Sequence, residues 1–367
     1  MAPEPPMARQ AEEPICQEEE GRLTYRPIRH PDLEKWNRKL RGLTWFADEV
    51  ELFEDVYDWE KMRPGAREYY SYIFGLFSQA DELVARNIGE RLIAEIKTLE
   101  LVQAYTAQGF MEQEHSTAYS NIIFALYGEE ERERILKAAA HMPAVRAIYE
   151  WVETWITSDA PIGLRLAAFA IFEGCMFQCQ FLSIQLLKMQ NIMPGITMLN
   201  EFIQRDEAVH CLLACYLLTH HIRNRPSAFE IEKLAREAHA LCCQFVDEAC
   251  AAARAAEGLP ADAPCPVPHV TEAKMHRYVE SVMDAVCADM GYPQLFGGAA
   301  SPYPEAAHLT LNQMLKTNQF EHRGSTYSAV VVQDALRTDL GRCFAPGFMA
   351  PAGRDAAWLV ARCAPAA

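Results

Sequence analysis

Positive charge is scarce in this sequence. Lys and Arg number 34 against 50 Asp and Glu in 367 residues, a formal net charge of −16. A nucleic-acid binder needs a basic face to neutralise phosphates, so that class is excluded. An anionic membrane surface is excluded for the same reason. No stretch of eighteen consecutive apolar residues is found, so no membrane span is expected. The N-terminus, MAPEPPMARQAEEPICQEEEG, lacks the apolar core of a signal peptide. Its Pro and Glu content predicts a disordered arm over 1–24 and a cytoplasmic protein. Also missing are alternating strand patterns, internal repeats and a Gly-rich phosphate loop, so no nucleotide pocket of that kind is expected.

What is present is apolar and helical. Half of the residues are hydrophobic, enough for a large core. Twelve cysteines fall mostly within helical patterns (Cys175, Cys179, Cys211, Cys215, Cys242, Cys243, Cys250), which reads as reduced, buried thiols rather than a disulfide framework. Residues 25–66 are mixed, with Pro27, Pro31 and Pro64 expected to break long helices. Helical periodicity then runs through 67–96, 100–128 (ended by Gly128), 131–158, 161–190, 196–222, 228–257 and 271–290. The segment 161–190 is apolar almost all round, as a central bundle helix would be. The prediction is an all-α fold around long helices, with a helical domain at 25–310 and a tail at 311–367.

Four of these helices carry ionisable groups in unusual places. Glu112 and His115 stand three apart, on one helical face, and Glu207 and His210 repeat the step. Glu173 is alone in AAFAIFEGCMF, and Asp81 lies within IFGLFSQADELV. A carboxylate in an apolar helix is costly unless it is paired or binds a cation. Four acids and two imidazoles suit a dinuclear iron site, or a manganese one, in a helix bundle. Glu82 and Glu114 read as surface acids. Asp206, beside Glu207, reads as an acceptor that orients an imidazole. Tyr119 lies one turn past His115. Phe177 and Phe181 follow Glu173 by four and eight, and Ile203 precedes Glu207 by four. Together they would wrap Tyr119 in a dry pocket.

At this point the sequence resembles the small subunit of class I ribonucleotide reductase, whose fold is a ferritin-like di-iron helical bundle. The motifs are TWFADEVEL (44–52), QADELV, MEQEHSTAYS, FEGCMFQCQF and MPGITMLNEFIQRDEAVHC, in order, within a likeness spanning about 25–336. The resemblance implies that Asp81, Glu112, His115, Glu173, Glu207 and His210 ligate two iron ions. It places a stable tyrosyl radical, made by di-iron and O₂ chemistry, on Tyr119. Phe177, Phe181 and Ile203 would form its pocket, and Trp45 and Asp206 would carry the radical equivalent toward the surface. KTNQFEHRGSTYSAVVVQDAL (316–336) resembles herpesvirus-type tails that dock on the large subunit, with Tyr327 as the relay between subunits. About thirty further residues depart from that pattern. The implied protein is a homodimeric partner of a large subunit that reduces ribonucleoside diphosphates for DNA replication. Another ferritin-like di-iron oxidase, or a metal-free helical scaffold, are the readings to be separated from it.

Overall fold

The computed structural model describes residues 13–298 and 300–304. The α-helices of eight residues or more are α1 (Pro31–Gly42), α2 (Phe53–Lys61), α3 (Pro64–Asn87), α4 (Leu99–Leu126), α5 (Glu129–Leu136), α6 (Pro143–Thr157), α7 (Ile162–Ile171), α8 (Gln178–Met189), α9 (Pro194–His220), α10 (Ala228–Ala256) and α11 (Glu272–Asp289). No strand occurs among the described residues, and the all-α expectation holds. Two π-helical turns interrupt the pattern: Ile88–Leu92 follows α3, and Phe172–Met176 joins α7 to α8.

Several helix ends differ from expectation. Pro31 and Pro64 start α1 and α3 rather than breaking them, since a residue in the first turn has no intrahelical partner for its N–H. Gly128, expected to end α4, instead stands as the N-cap of α5. The start of α9 is held from a distance: Asp55 of α2 accepts hydrogen bonds from the backbone N–H of Gly195 (3.0 Å) and Ile196 (2.7 Å). Gly195 is required there, because an added Cβ would lie 2.5 Å from the Glu51 carbonyl oxygen.

Helix α4 lies at the centre. It packs against α3 on one side and α1 on another, and also touches α9, while α10 packs on α3 and α11. Together, α7 and α8 pack along α9. The run Ile162–Met189 is long and apolar enough to cross a membrane by length and composition, although Arg165 and Glu173 interrupt it and no eighteen consecutive residues are apolar. Its most apolar window is 94% buried inside the fold, so that apolarity is used in the core.

The N-terminal arm also departs from expectation. From Glu13 onward it is packed rather than disordered. The Glu13 carboxylate accepts from the N–H groups of Arg223 (2.6 Å) and Asn224 (2.9 Å), just beyond α9. The Ile15 side chain is buried, and its carbonyl accepts from Lys97 N–H at 2.7 Å. The partners that order this segment lie far away in sequence, so local composition alone misleads. The predicted tail at 311–367, with Tyr327, lies outside the described residues.

Candidate metal centre

Asp81 comes from α3, Glu112 and His115 from α4, Glu173 from the π-helical turn, and Glu207 and His210 from α9. All six side chains are buried, none more than 2% exposed. The fold brings together the whole predicted set. Asp81, Glu112, His115 and Glu207 form one group, and Glu112, Glu173, Glu207 and His210 a second, each with ligand atoms within 4.8 Å of one another. Glu112 and Glu207 belong to both.

The arrangement leaves unusual gaps in hydrogen bonding. His115 Nδ1 lies 3.0 Å from Glu207 Oε1 and 3.3 Å from Glu112 Oε2. His210 Nδ1 lies 3.0 Å from Glu112 Oε1. These contacts lack hydrogen-bond alignment. Both Nδ1 atoms, Glu112 Oε2, Glu207 Oε2, Asp81 Oδ2 and both oxygens of Glu173 make no hydrogen bond at all. Buried polar atoms are normally satisfied. So many unsatisfied acceptors around one point are what a cation would satisfy, and the residues fit a pair of metal ions.

The electrostatics agree. Burial pushes the Asp81 carboxyl well above the usual range, and the neighbouring Glu112 and Glu207 add to it. Burial likewise raises Glu173, helped by Glu207 and Glu112. For Glu207 burial acts upward too, but Glu173, His115 and His210 outweigh it and hold the carboxyl low. Burial opposes charge on both imidazoles. The acids outweigh it, and both stay protonated well above their ordinary range. Without a cation, the cluster must share protons to limit its negative charge.

Tyr119 is buried, and its hydroxyl makes no hydrogen bond. Burial raises the phenol well above its ordinary range, with Asp81 the foremost charged contributor. Its ring stacks on Phe77 at 4.5 Å between centroids. Phe177 and Phe181 pack on Phe77 at 5.5 and 5.1 Å, and Ile203 is buried. Phe77 is a residue that sequence reasoning missed. It lies four before Asp81, the same step that singled out Phe177 after Glu173.

On the other side of His115, Asp206 Oδ2 lies 3.3 Å from His115 Nε2 and accepts from Trp45 Nε1–H at 2.7 Å. Burial would raise the Asp206 carboxyl. Arg205, which donates to Oδ1 at 2.7 Å, and the contacts to His115 and Trp45 more than offset this and hold it low. Trp45 is buried, with its ring stacked against His115 at 6.0 Å. Glu82 is exposed, as expected. Glu114 is not a surface acid: its Oε2 accepts from Ala47 N–H at 3.0 Å and pins the turn that follows Trp45. The cysteines read as thiols are free, and most are buried.

Known proteins share this architecture. The family described as "Ribonucleotide reductase, small chain" matches residues 22–304. The ribonucleoside-diphosphate reductase small chain of African swine fever virus is 37% identical over 326 residues, covering 88% of this chain and 94% of that protein. Human ribonucleoside-diphosphate reductase subunit M2 is 31% identical over 326 residues, covering 88% and 79%. The structure of the Rnr4 homodimer from Saccharomyces cerevisiae matches with a TM-score of 0.69 and 25% identity, covering 81% of this chain and 90% of that one. The chain belongs to the ribonucleotide reductase small chain family.

Proposed function

We propose that Asp81, Glu112, His115, Glu173, Glu207 and His210 hold a pair of iron ions, and that Tyr119 stores the oxidising equivalent made there. A separate large subunit, which binds the nucleotide, would use it. The observation that carries this reading is the convergence of buried acid and imidazole atoms without hydrogen bonds beside a buried, unpartnered phenol. Bound iron would supply, with dioxygen, an oxidant strong enough to take an electron from a phenol.

The rest falls to the protein's own groups. The four carboxylates would balance the charge of two divalent ions, and Glu112 and Glu207, which belong to both ligand groups, would serve both. The phenolic proton of Tyr119 would leave toward Asp81, the foremost charged neighbour of the phenol, whose Oδ2 makes no hydrogen bond. Phe77, Phe177 and Phe181 keep water from the ring, which lengthens the life of the oxidised phenol. His115, Asp206 and Trp45 form a continuous polar line away from the cluster, and Arg205 keeps Asp206 ionised within it. Tyr327 would continue that line in the tail that docks on the large subunit. The yeast neighbour is a homodimer, and we extend that arrangement, together with a cytoplasmic location, to this chain.

The test is direct. The protein is loaded with ferrous iron in air, and its low-temperature EPR spectrum is recorded beside its iron content. A tyrosyl signal that Tyr119→Phe removes at unchanged iron content is expected. A signal that survives the substitution, or a protein that retains no iron, overturns the reading.

A further inference from the structure

A gap half open to solvent lies between α6, the end of α3 and α7. Its mouth is formed by the half-buried Leu83, Trp151 and Trp155, and its buried floor by Phe172 and Arg165. The space within the walls is about 20 Å³, and about 400 Å³ with the open side included. Two donors at this gap have no acceptor. Arg165 is only 5% exposed; its Nε donates to the Ala160 carbonyl at 3.0 Å and its Nη2 to Glu95, but its Nη1 makes no hydrogen bond. Trp151 Nε1–H makes none either. Buried polar atoms are normally satisfied, so two unmet donors beside one gap are what a ligand with acceptor atoms would complete.

Charge, donor count and size select that ligand. Glu95 also accepts from Arg91 Nε at 3.0 Å, so two arginines share one acid. Among these three groups one positive charge is left over. A cation is therefore disfavoured, and a single negative charge is matched. A carboxylate brings that charge on two acceptor oxygens, one for Arg165 Nη1 and one for Trp151 Nε1, and hydrogen bonds to an ionised group are the stronger kind. A site needs roughly 10–15 Å³ for one water molecule, so the space within the walls admits only a small head group. The rest of the ligand must lie in the open half, where Leu83 and the two indoles offer an apolar surface. Pockets of this make-up, apolar walls with a few convergent polar groups, are the usual form of small-molecule sites.

We propose that this gap binds a small apolar monocarboxylate, with the carboxylate on Arg165 and Trp151 and the apolar body against Leu83 and Trp155. The site is separate from the metal centre and does not depend on how that centre is read. The test uses the full chain and phenylacetate as the probe. Calorimetric titration should show saturable binding of one phenylacetate per chain. Phenylacetamide, of the same shape but uncharged, should bind about tenfold more weakly, and phenethylamine, of opposite charge, not at all. The indole N–H resonance that Trp151→Phe removes from the NMR spectrum should move as phenylacetate is added. Trp151→Phe keeps an aromatic wall and loses one donor, so it should weaken binding about fivefold. Arg165→Gln should abolish it; if that variant misfolds because Glu95 loses a partner, the Trp151→Phe result still decides. No saturation up to about 10 mM, equal binding of phenethylamine, or an affinity that Trp151→Phe leaves unchanged overturns the proposal.

Discussion

Glu100 and Glu112 stand on the same helix, α4, and both are fully buried. They are opposite solutions to one problem. Glu100 is satisfied by the protein: Arg22 donates to both of its oxygens at 2.6 and 2.8 Å, and the N–H groups of Arg29 and His30 add to Oε1. Glu112 keeps Oε2 without a hydrogen bond, among three other buried acids. Glu100 even forms a cluster with Glu19 and His30 whose ligand atoms are close enough for a metal. There the Arg22 guanidinium is the cation, bonded to Glu19 as well as to Glu100. Burial of an acid therefore does not mark a metal site. What marks it is burial that leaves acid oxygens without hydrogen-bond partners.

The sharpest way to break this contrast is to remove each acid in turn. Glu112→Ala should abolish binding at both ligand groups, read as metal per chain. Glu100→Ala should leave metal content unchanged and lower unfolding free energy by about 3 kcal/mol in urea titrations, because it strips a buried guanidinium of its main partner. Metal retained by the first variant, or lost by the second, would undo the distinction.

Asp206 lies between the two cases: a buried acid with a built-in counter-charge, Arg205, that also touches a proposed ligand. Asp206→Asn should lower turnover with the large subunit by about 10–100-fold while iron still binds. Full turnover in steady-state assays would take it off the proposed path.

A weaker effect should appear with pH. Arg22 and the two backbone donors overcome the upward pull of burial and hold the Glu100 carboxyl at about 2, against an ordinary value of 4.5. A lowered carboxyl stabilises the fold fully above the ordinary value and loses that contribution as pH falls through the lowered one. The stability gap between the wild type and Glu100→Gln should thus be widest above pH 4.5 and shrink toward pH 2. A gap that does not change with pH would show that the carboxylate charge is not what stabilises the N-terminal segment. Smaller still is the effect expected at the π-helical turn. A Cβ on Gly174 would lie 2.3 Å from Cys211 Sγ, so Gly174→Ala should cost about 1–3 kcal/mol, seen as a lower Tm.

The parts of this molecule that were legible in the sequence are those governed by local spacing. The two Glu-x-x-His steps, Glu173 in its apolar run and the boundaries of α4, α9 and α10 follow from helical periodicity. The parts that were not legible depend on partners far along the chain. Glu114 looks like a surface acid until the turn at Ala47 lies against it. Glu13 looks like part of a loose arm until the N–H groups of Arg223 and Asn224 donate to its carboxylate. Pro31 and Pro64 are the same residue type at a helix start as at a break, and only the neighbouring backbone decides between them. The π-helical turns leave no mark in composition, since one extra residue in a turn does not alter which residues are apolar.

That extra residue has a consequence for how such chains can change. In an α-helix each residue rotates the side-chain direction by roughly 100°. A π-turn takes up its extra residue by widening, so deleting one position within Phe172–Met176 would restore regular winding and leave α8 nearly in phase. Phe177 and Phe181 would then keep their place near Phe77, and the loss would fall on Glu173, the cluster acid that this turn presents. The length of this stretch is thus constrained separately from its composition: Cys175 can be exchanged for another small side chain at far lower cost than it can be lost.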